Sequence, residues 1–212
     1  MSAFAGTASS SASEFHEQPG LKHGAGEKRP GAPEPAKQRE SPVNGADLLV
    51  DAFERVRQSV HAVADGLSAE QLAQRVDSDA NSIAWLLWHL TRVQDDHVSE
   101  VAGVEQVWTS AGWHERFGLP FEPRETGYGH GSEQVAAVRP DSPELLTGYH
   151  DAVFERTVEF VKGLEDADFD RVVDDSWTPP VTLGVRLVSV VNDCTQHVGQ
   201  AAFARGVVTR RG

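Results

Sequence analysis

Residues 80–103 read ANSIAWLLWHLTRVQDDHVSEVAG. Asn81 or Ser82 is placed to cap a helix N-terminus, and Gly103 to end the helix about six turns later. From Ile83 to Leu90 the apolar residues do not fall on one stripe. They surround the helix, and His89 is the only titratable group among them. A helix that is apolar nearly all round belongs in the middle of a core. The stretch therefore predicts a central helix of an all-α protein, with an imidazole at mid-depth.

Working outward, residues 44–67 (NGADLLVDAFERVRQSVHAVADGL) place Leu48, Leu49, Ala52, Phe53, Val56, Val60 and Val63 at helical spacing, with Gly66 as a stop. Ser68 to Gln71 (SAEQ) has the form of a capping box and predicts a short helix. Downstream, DSPELLTGYHDAVFERTVEFVKGL (141–164) predicts a helix capped by Ser142, with Pro143 at its first position. An acidic linker, EDADFDRVVDDSWTPP (165–180), leads to a further helix expected over Thr182–Arg205 and closed by Gly206. Residues 104–140 have no sustained period and string Trp108, Trp113, Phe117, Phe121 and Tyr128 among Gly and Pro. Four long helices and no convincing strand predict an all-α four-helix bundle with a long loop between the second and third helices. Long connections in compact domains are usually functional. This one is expected to cover the mouth of the bundle near His89, with Trp108, Trp113 and Phe117 anchoring it.

Composition narrows the class. Residues 1–43 are rich in Ser, Gly, Pro and Ala, and their charges cancel. So few large apolar residues cannot offset the entropy of ordering, and a disordered N-terminal tail is expected over 1–43, with the folded unit at 44–212. The formal charge of −13 then lies on the folded unit and argues against a nucleic-acid partner. No run approaches the roughly 20 apolar residues that span a bilayer, and the N-terminus lacks the pattern of a secretory signal. A single cysteine excludes an internal disulfide framework. Together these point to the cytoplasm and away from membranes.

The last long helix carries VNDCTQHVGQ (191–200), in which Asp193 and His197 stand four apart and so share a face. Alone, the two read equally well as a hydrogen-bonded core pair or as half of a metal site. His89 shifts the balance, because it puts a second imidazole at mid-depth on another apolar helix. Two histidines and a carboxylate facing a bundle interior form a first shell for a divalent transition metal with open positions. Zinc suits such a set best; nickel and iron(II) also fit, and calcium does not. A cation also makes a buried Asp193 tolerable. Arg92, Asp96, His130 and Gln200 are candidates to bind substrate or to support the ligands. Cys194 reads as core packing, since no base stands at a suitable spacing.

The segments NSIAWLLWHLTRVQDDH and DCTQHVGQAAF resemble the DinB/YfiT-like four-helix-bundle superfamily, and within it the actinobacterial branch associated with mycothiol-dependent enzymes. The likeness spans about residues 44–208; its marks are Trp88-His89-Leu90 and the His-x-Gly-Gln of 197–200. It implies a divalent metal held by His89, Asp193 and His197, with Asp193 standing where many members have His or Glu. It further implies mycothiol, or a similar low-molecular-weight thiol, as cosubstrate. The metal would lower the pKa of that thiol for attack on an electrophile, by S-transfer or by isomerisation. Two other functions fit the same ligands: a metal-dependent hydrolase, and a non-catalytic metal-binding stress-response protein. The expected partners are a small-molecule thiol and an electrophile; a homodimer is an assembly the sequence leaves open.

Overall fold

The computed structural model describes residues 43–211, so the tail expected over 1–43 lies almost wholly outside the described residues. The protein is built on four long helices: α1 (Gly45–Ala64), α3 (Ile83–Ala102), α7 (Pro143–Lys162) and α8 (Leu183–Arg211). Short helices α2 (Ala69–Ala73), α4 (Val107–Ser110), α5 (Trp113–Phe117) and α6 (Ser132–Ala137) sit in the connections.

Local chemistry sets most boundaries. Asn44 and Asp47 form a reciprocal capping box at the start of α1, and Ser68 and Gln71 do the same for α2. Ser82 Oγ accepts from the Trp85 amide to start α3, and Gly103 ends it in the left-handed region. Pro143 opens α7. Two expectations need correction. The last helix does not stop at Gly206 but runs to Arg211. An interior glycine costs only about 1 kcal/mol; here Val208 is buried beyond it, and Arg205 donates to the Val63 carbonyl before it. The acidic linker also supplies β1 (Val172–Asp174), which pairs antiparallel with β2 (Val181–Thr182) just beyond it, where a strand-free chain was expected. Its strands are too short to show a period in the sequence.

The helix directions explain the long connection. Against α8, residues of α3 pair in falling order: His89 meets His197, Cys194 reaches the Leu90 carbonyl, and Arg186 pairs with Glu100. These two helices are antiparallel. Along α7 the order rises, Thr91 with His150 and Gln94 with Thr157, so α3 and α7 are parallel. Gly45 and Gly184 both pack on Phe169, while Arg205 reaches Val63, so α1 and α8 are parallel too. The bundle thus runs up, down, down, up. Parallel neighbours cannot be joined by a tight turn, and residues 103–142 must return the full length of α3.

They return as a strap along α3. Val107 and Trp108 donate their amides to Asp95 at 2.9 and 2.8 Å. Arg92 holds the Pro123 and Glu125 carbonyls. Thr126 meets His89, His130 meets Trp85, and Ser132 meets Arg75. Trp108, Trp113 and Phe117 pack around Tyr149, with ring centroids 5.1–5.9 Å away. That aromatic cluster anchors the strap, as the sequence implied. No helix among the described residues is long and apolar enough to cross a membrane.

Candidate metal centre

His89, Asp193 and His197 converge. One ligand-type atom from each lies within 4.8 Å of the other two, and the two imidazole centroids are 4.7 Å apart. Two donors on opposite sides of one ion are at most about 4.2 Å apart, given metal–ligand bonds near 2.1 Å. The set lies close to the span of a first shell, with His197 Nε2 and Asp193 Oδ1 3.6 Å apart.

Each ring is held in the orientation a ligand needs. His89 is 7% exposed, and its Nδ1 lies 2.6 Å from the Thr126 carbonyl oxygen. A carbonyl only accepts, so Nδ1 carries the hydrogen and Nε2 keeps its lone pair. Burial holds the His89 pKa below its ordinary value, with the Thr126 bond opposing this, so the ring is unprotonated at neutral pH. His197 repeats the arrangement: its Nδ1 is 3.0 Å from Gln200 Oε1, leaving Nε2 3.6 Å from Asp193 Oδ1. Trp85 stacks on His89 at 4.5 Å and meets His197 edge-on at 6.4 Å, which shields the rings from water.

Asp193 supplies the sharpest test of whether a cation fits. Its Oδ2 is buried and has no hydrogen-bond partner. An acceptor left that way costs about 1–3 kcal/mol, and a divalent ion coordinated there would remove the cost. The rest of its side chain is 38% exposed, so the site opens to solvent on that side. The donor set, two imidazole nitrogens and one carboxylate, suits a borderline divalent ion of the zinc type.

Gly127 lets the strap come this close. Its φ is +98°, and a Cβ there would lie 2.8 Å from His89 Nδ1 and 3.0–3.1 Å from Trp88 and Trp85. Only glycine meets both constraints.

The remaining candidates fall differently. Gln200 stands beside the cluster as the partner of His197. His130 is not an exposed loop residue: its side chain is 2% exposed. Its Nδ1 accepts from the Trp85 indole at 3.2 Å, and its Nε2 meets Glu125 at 3.2 Å. It walls the site through Trp85 with both nitrogens occupied. Arg92 is fully buried and holds Tyr149, Gln106 and two strap carbonyls while lying over the Trp108 ring. It fastens the strap and presents no group to a ligand. Asp96 accepts from Gln106 at 2.6 Å, about two turns along α3 from His89. Cys194 is fully buried, and burial raises its thiol pKa far above the ordinary range, so it is core.

Sequence reasoning missed Asp95 and Thr126. Asp95 accepts from two strap amides and from the Tyr149 hydroxyl at 2.8 Å, and it pairs with Arg92 at 3.5 Å. Its signal was the Arg92–Asp95 spacing on a helix otherwise buried. Thr126 acts through its backbone and leaves no signal in residue type.

No curated protein matches the chain. Among solved structures, a conserved protein from Enterococcus faecalis superposes with a TM-score of 0.75 at 27% identity, covering 79% of this chain and 99% of that one. Residues 48–210, which include all three converging side chains, match the mycothiol-S-transferase (MST) family. The chain belongs to that family.

Proposed function

We propose that the protein is a divalent-metal-dependent S-transferase that joins mycothiol to an electrophile, with His89, Asp193 and His197 as the metal ligands. One observation carries the reading: two imidazoles are locked with Nε2 free beside a carboxylate whose buried oxygen has no partner. Membership of the family supplies the thiol. A bound divalent ion would supply Lewis acidity, favouring the thiolate of the cosubstrate at neutral pH.

The chain's own groups do the rest. Thr126 and Gln200 fix the two rings, and Trp85 with the strap excludes water from their faces. The open side at Asp193 admits the thiol and lets its proton leave to solvent. The sulfur lone pair forms the S–C bond to the electrophile, and the leaving group departs with the electrons of the bond it held. A hydrolase would need a free acid or base beside the opening. Neither His130, with both nitrogens engaged, nor Asp96, held by Gln106, is free to serve, and family membership favours transfer.

His89→Ala tests the assignment. It leaves two ligands on one helix, so metal measured by elemental analysis and mycothiol conjugation by mass spectrometry should both be lost. Far-ultraviolet circular dichroism should keep its helical signal. Retention of stoichiometric metal by the variant would refute the ligand set.

A further inference from the structure

Asp193 is one wall of a cavity of about 370 Å³ between α3, the β1–β2 hairpin and α8. Val93 and His97 face it from α3, Asp174 and Trp177 from the hairpin, and Arg186 and Ser189 from α8. Its volume is at the lower end of the roughly 300–1,000 Å³ of small-molecule sites. Trp177, at the hairpin tip, is 66% exposed, although α3 and α8 bury other large rings. An indole open at the lip of a cavity of mixed lining, where Val93, Val181, Val185 and Val190 alternate with polar groups, offers a face for stacking.

The cavity lining is net acidic, with the carboxylates of Asp174 and Asp193 against a single guanidinium. Arg186 is its one arginine, and no lysine lines it. Its guanidinium already meets Glu100 at 2.5 Å and Asp174 at 3.4 Å, and it contacts His97 Nδ1 at 3.4 Å. No cation is left to receive a carboxylate. What remains is a mixture of donors and acceptors (His97, Asp174, Arg186, Ser189) beside an aromatic face. That combination suits a neutral polyhydroxylated ring, whose C–H face stacks on indole while its hydroxyls bond to both kinds of group. The cavity flanking the other side of the cluster, at Gln200, is lined by Val76, Ala80, Leu86, Phe203 and Ala204, and offers hydroxyls little.

We propose that this cavity is the subsite for the sugar body of the thiol cosubstrate, with Trp177 as its stacking platform, the carboxylate of Asp174 accepting from hydroxyls and His97 Nε2 donating to them. The inference rests on the mycothiol reading above and adds where the non-reacting part of the thiol lies. It also assigns the basis of selection against anionic thiols.

The test uses the metal-loaded full chain with three thiols: mycothiol, N-acetylcysteamine, which is neutral and has no sugar, and glutathione, which is anionic. Trp177→Ala should raise the KM for mycothiol by about tenfold, a loss of one good stacking contact, with kcat little changed. It should leave turnover of N-acetylcysteamine unaltered. Phe203→Ala, on the opposite flank, should leave the mycothiol KM within about twofold. A readout independent of turnover is intrinsic fluorescence of the metal-free protein titrated with S-methyl mycothiol, which can neither react nor ligate through a thiolate. The wild type should respond saturably and Trp177→Phe should not. A wild type active with mycothiol whose KM is indifferent to Trp177→Ala overturns the subsite while leaving the transferase reading intact. So does an effect of Phe203→Ala in its place, or efficient use of glutathione. A wild type that conjugates no thiol overturns the transferase reading, and saturable fluorescence binding then decides the subsite by itself.

Discussion

His150 makes the stability of this bundle sensitive to mild acid. It lies on α7, fully buried against α3. Thr91 Oγ1 donates to the Leu87 carbonyl at 2.8 Å and so must accept from His150 Nδ1 at 3.1 Å. The ring is therefore neutral, and its Nε2 is buried without a partner. Burial pushes its pKa down from 6.5 to about 4, with Asp151 opposing this and His61 and Arg57 adding to it. The unfolded chain takes up this proton near pH 6.5, whereas the folded chain resists until about pH 4. The unfolded state then binds more protons through that window, so stability is complete above pH 6.5 and falls as pH falls towards 4. With the two pKa values, linkage gives a loss of about 2 kcal/mol at pH 5 and about 3 kcal/mol at pH 4. That is a large share of the roughly 5–15 kcal/mol that holds a domain together.

The perturbation is His150→Leu, assayed by urea unfolding followed by circular dichroism from pH 4 to 7.5 with chelator present. Leucine changes packing and removes the bond to Thr91, but both costs are independent of pH. Every other titrating group, His89 included, contributes to both proteins and cancels in the difference. The variant should start less stable at pH 7.5, then lose about 2 kcal/mol less than wild type by pH 5. Parallel curves for the two proteins across this range would refute the argument.

Two further outcomes follow from the strap and the cluster. Gln200→Ala removes the acceptor that fixes His197 and should weaken metal binding by about 10- to 100-fold, while Gln200→Glu retains it; competition against a chromophoric chelator reads this, and equal affinities would dismiss the tautomer lock. Asp95→Asn leaves Arg92 buried without its carboxylate and should cost about 3–5 kcal/mol of unfolding free energy, with hydrogen exchange accelerating first at the Val107 and Trp108 amides; protection unchanged at those amides would show that the strap is held elsewhere.

Much of this architecture was legible from sequence because it is local. Ser82, Ser68 with Gln71, Gly103 and Pro143 act within a turn of themselves, so residue type nearly determines the helix start or stop. The metal-type cluster was legible for a related reason. Asp193 and His197 are joined by helical spacing, and His89 is conspicuous on an apolar surface. What stayed hidden depends on which chain segment comes to lie alongside. The same Arg92 reads as a ligand for substrate or as a clamp, until the Pro123 and Glu125 carbonyls are placed against it. Gly206 read as a stop because nothing local reveals that Val208 will be buried. The hairpin was invisible because three residues against two cannot display a period.

The helix order joins these two classes of feature. Up, down, down, up places α3 and α7 parallel, and a parallel pair requires a connection that travels back along the bundle. That connection needs polar anchors inside the core to fix its path, and Asp95 and Arg92 provide them. Once fixed there, its backbone passes His89 at Thr126 and Gly127, and the Thr126 carbonyl selects the tautomer that frees Nε2. The segment that solves a problem of topology thus also prepares a ligand. A loosened strap should therefore weaken metal binding even when all three ligands are intact, because His89 loses the acceptor that orients it. Conversely, an ion bound at the proposed site would fix His89 against Thr126 and stabilise the strap by mass action. The fold and the site are coupled through one carbonyl, which residue identity alone does not reveal.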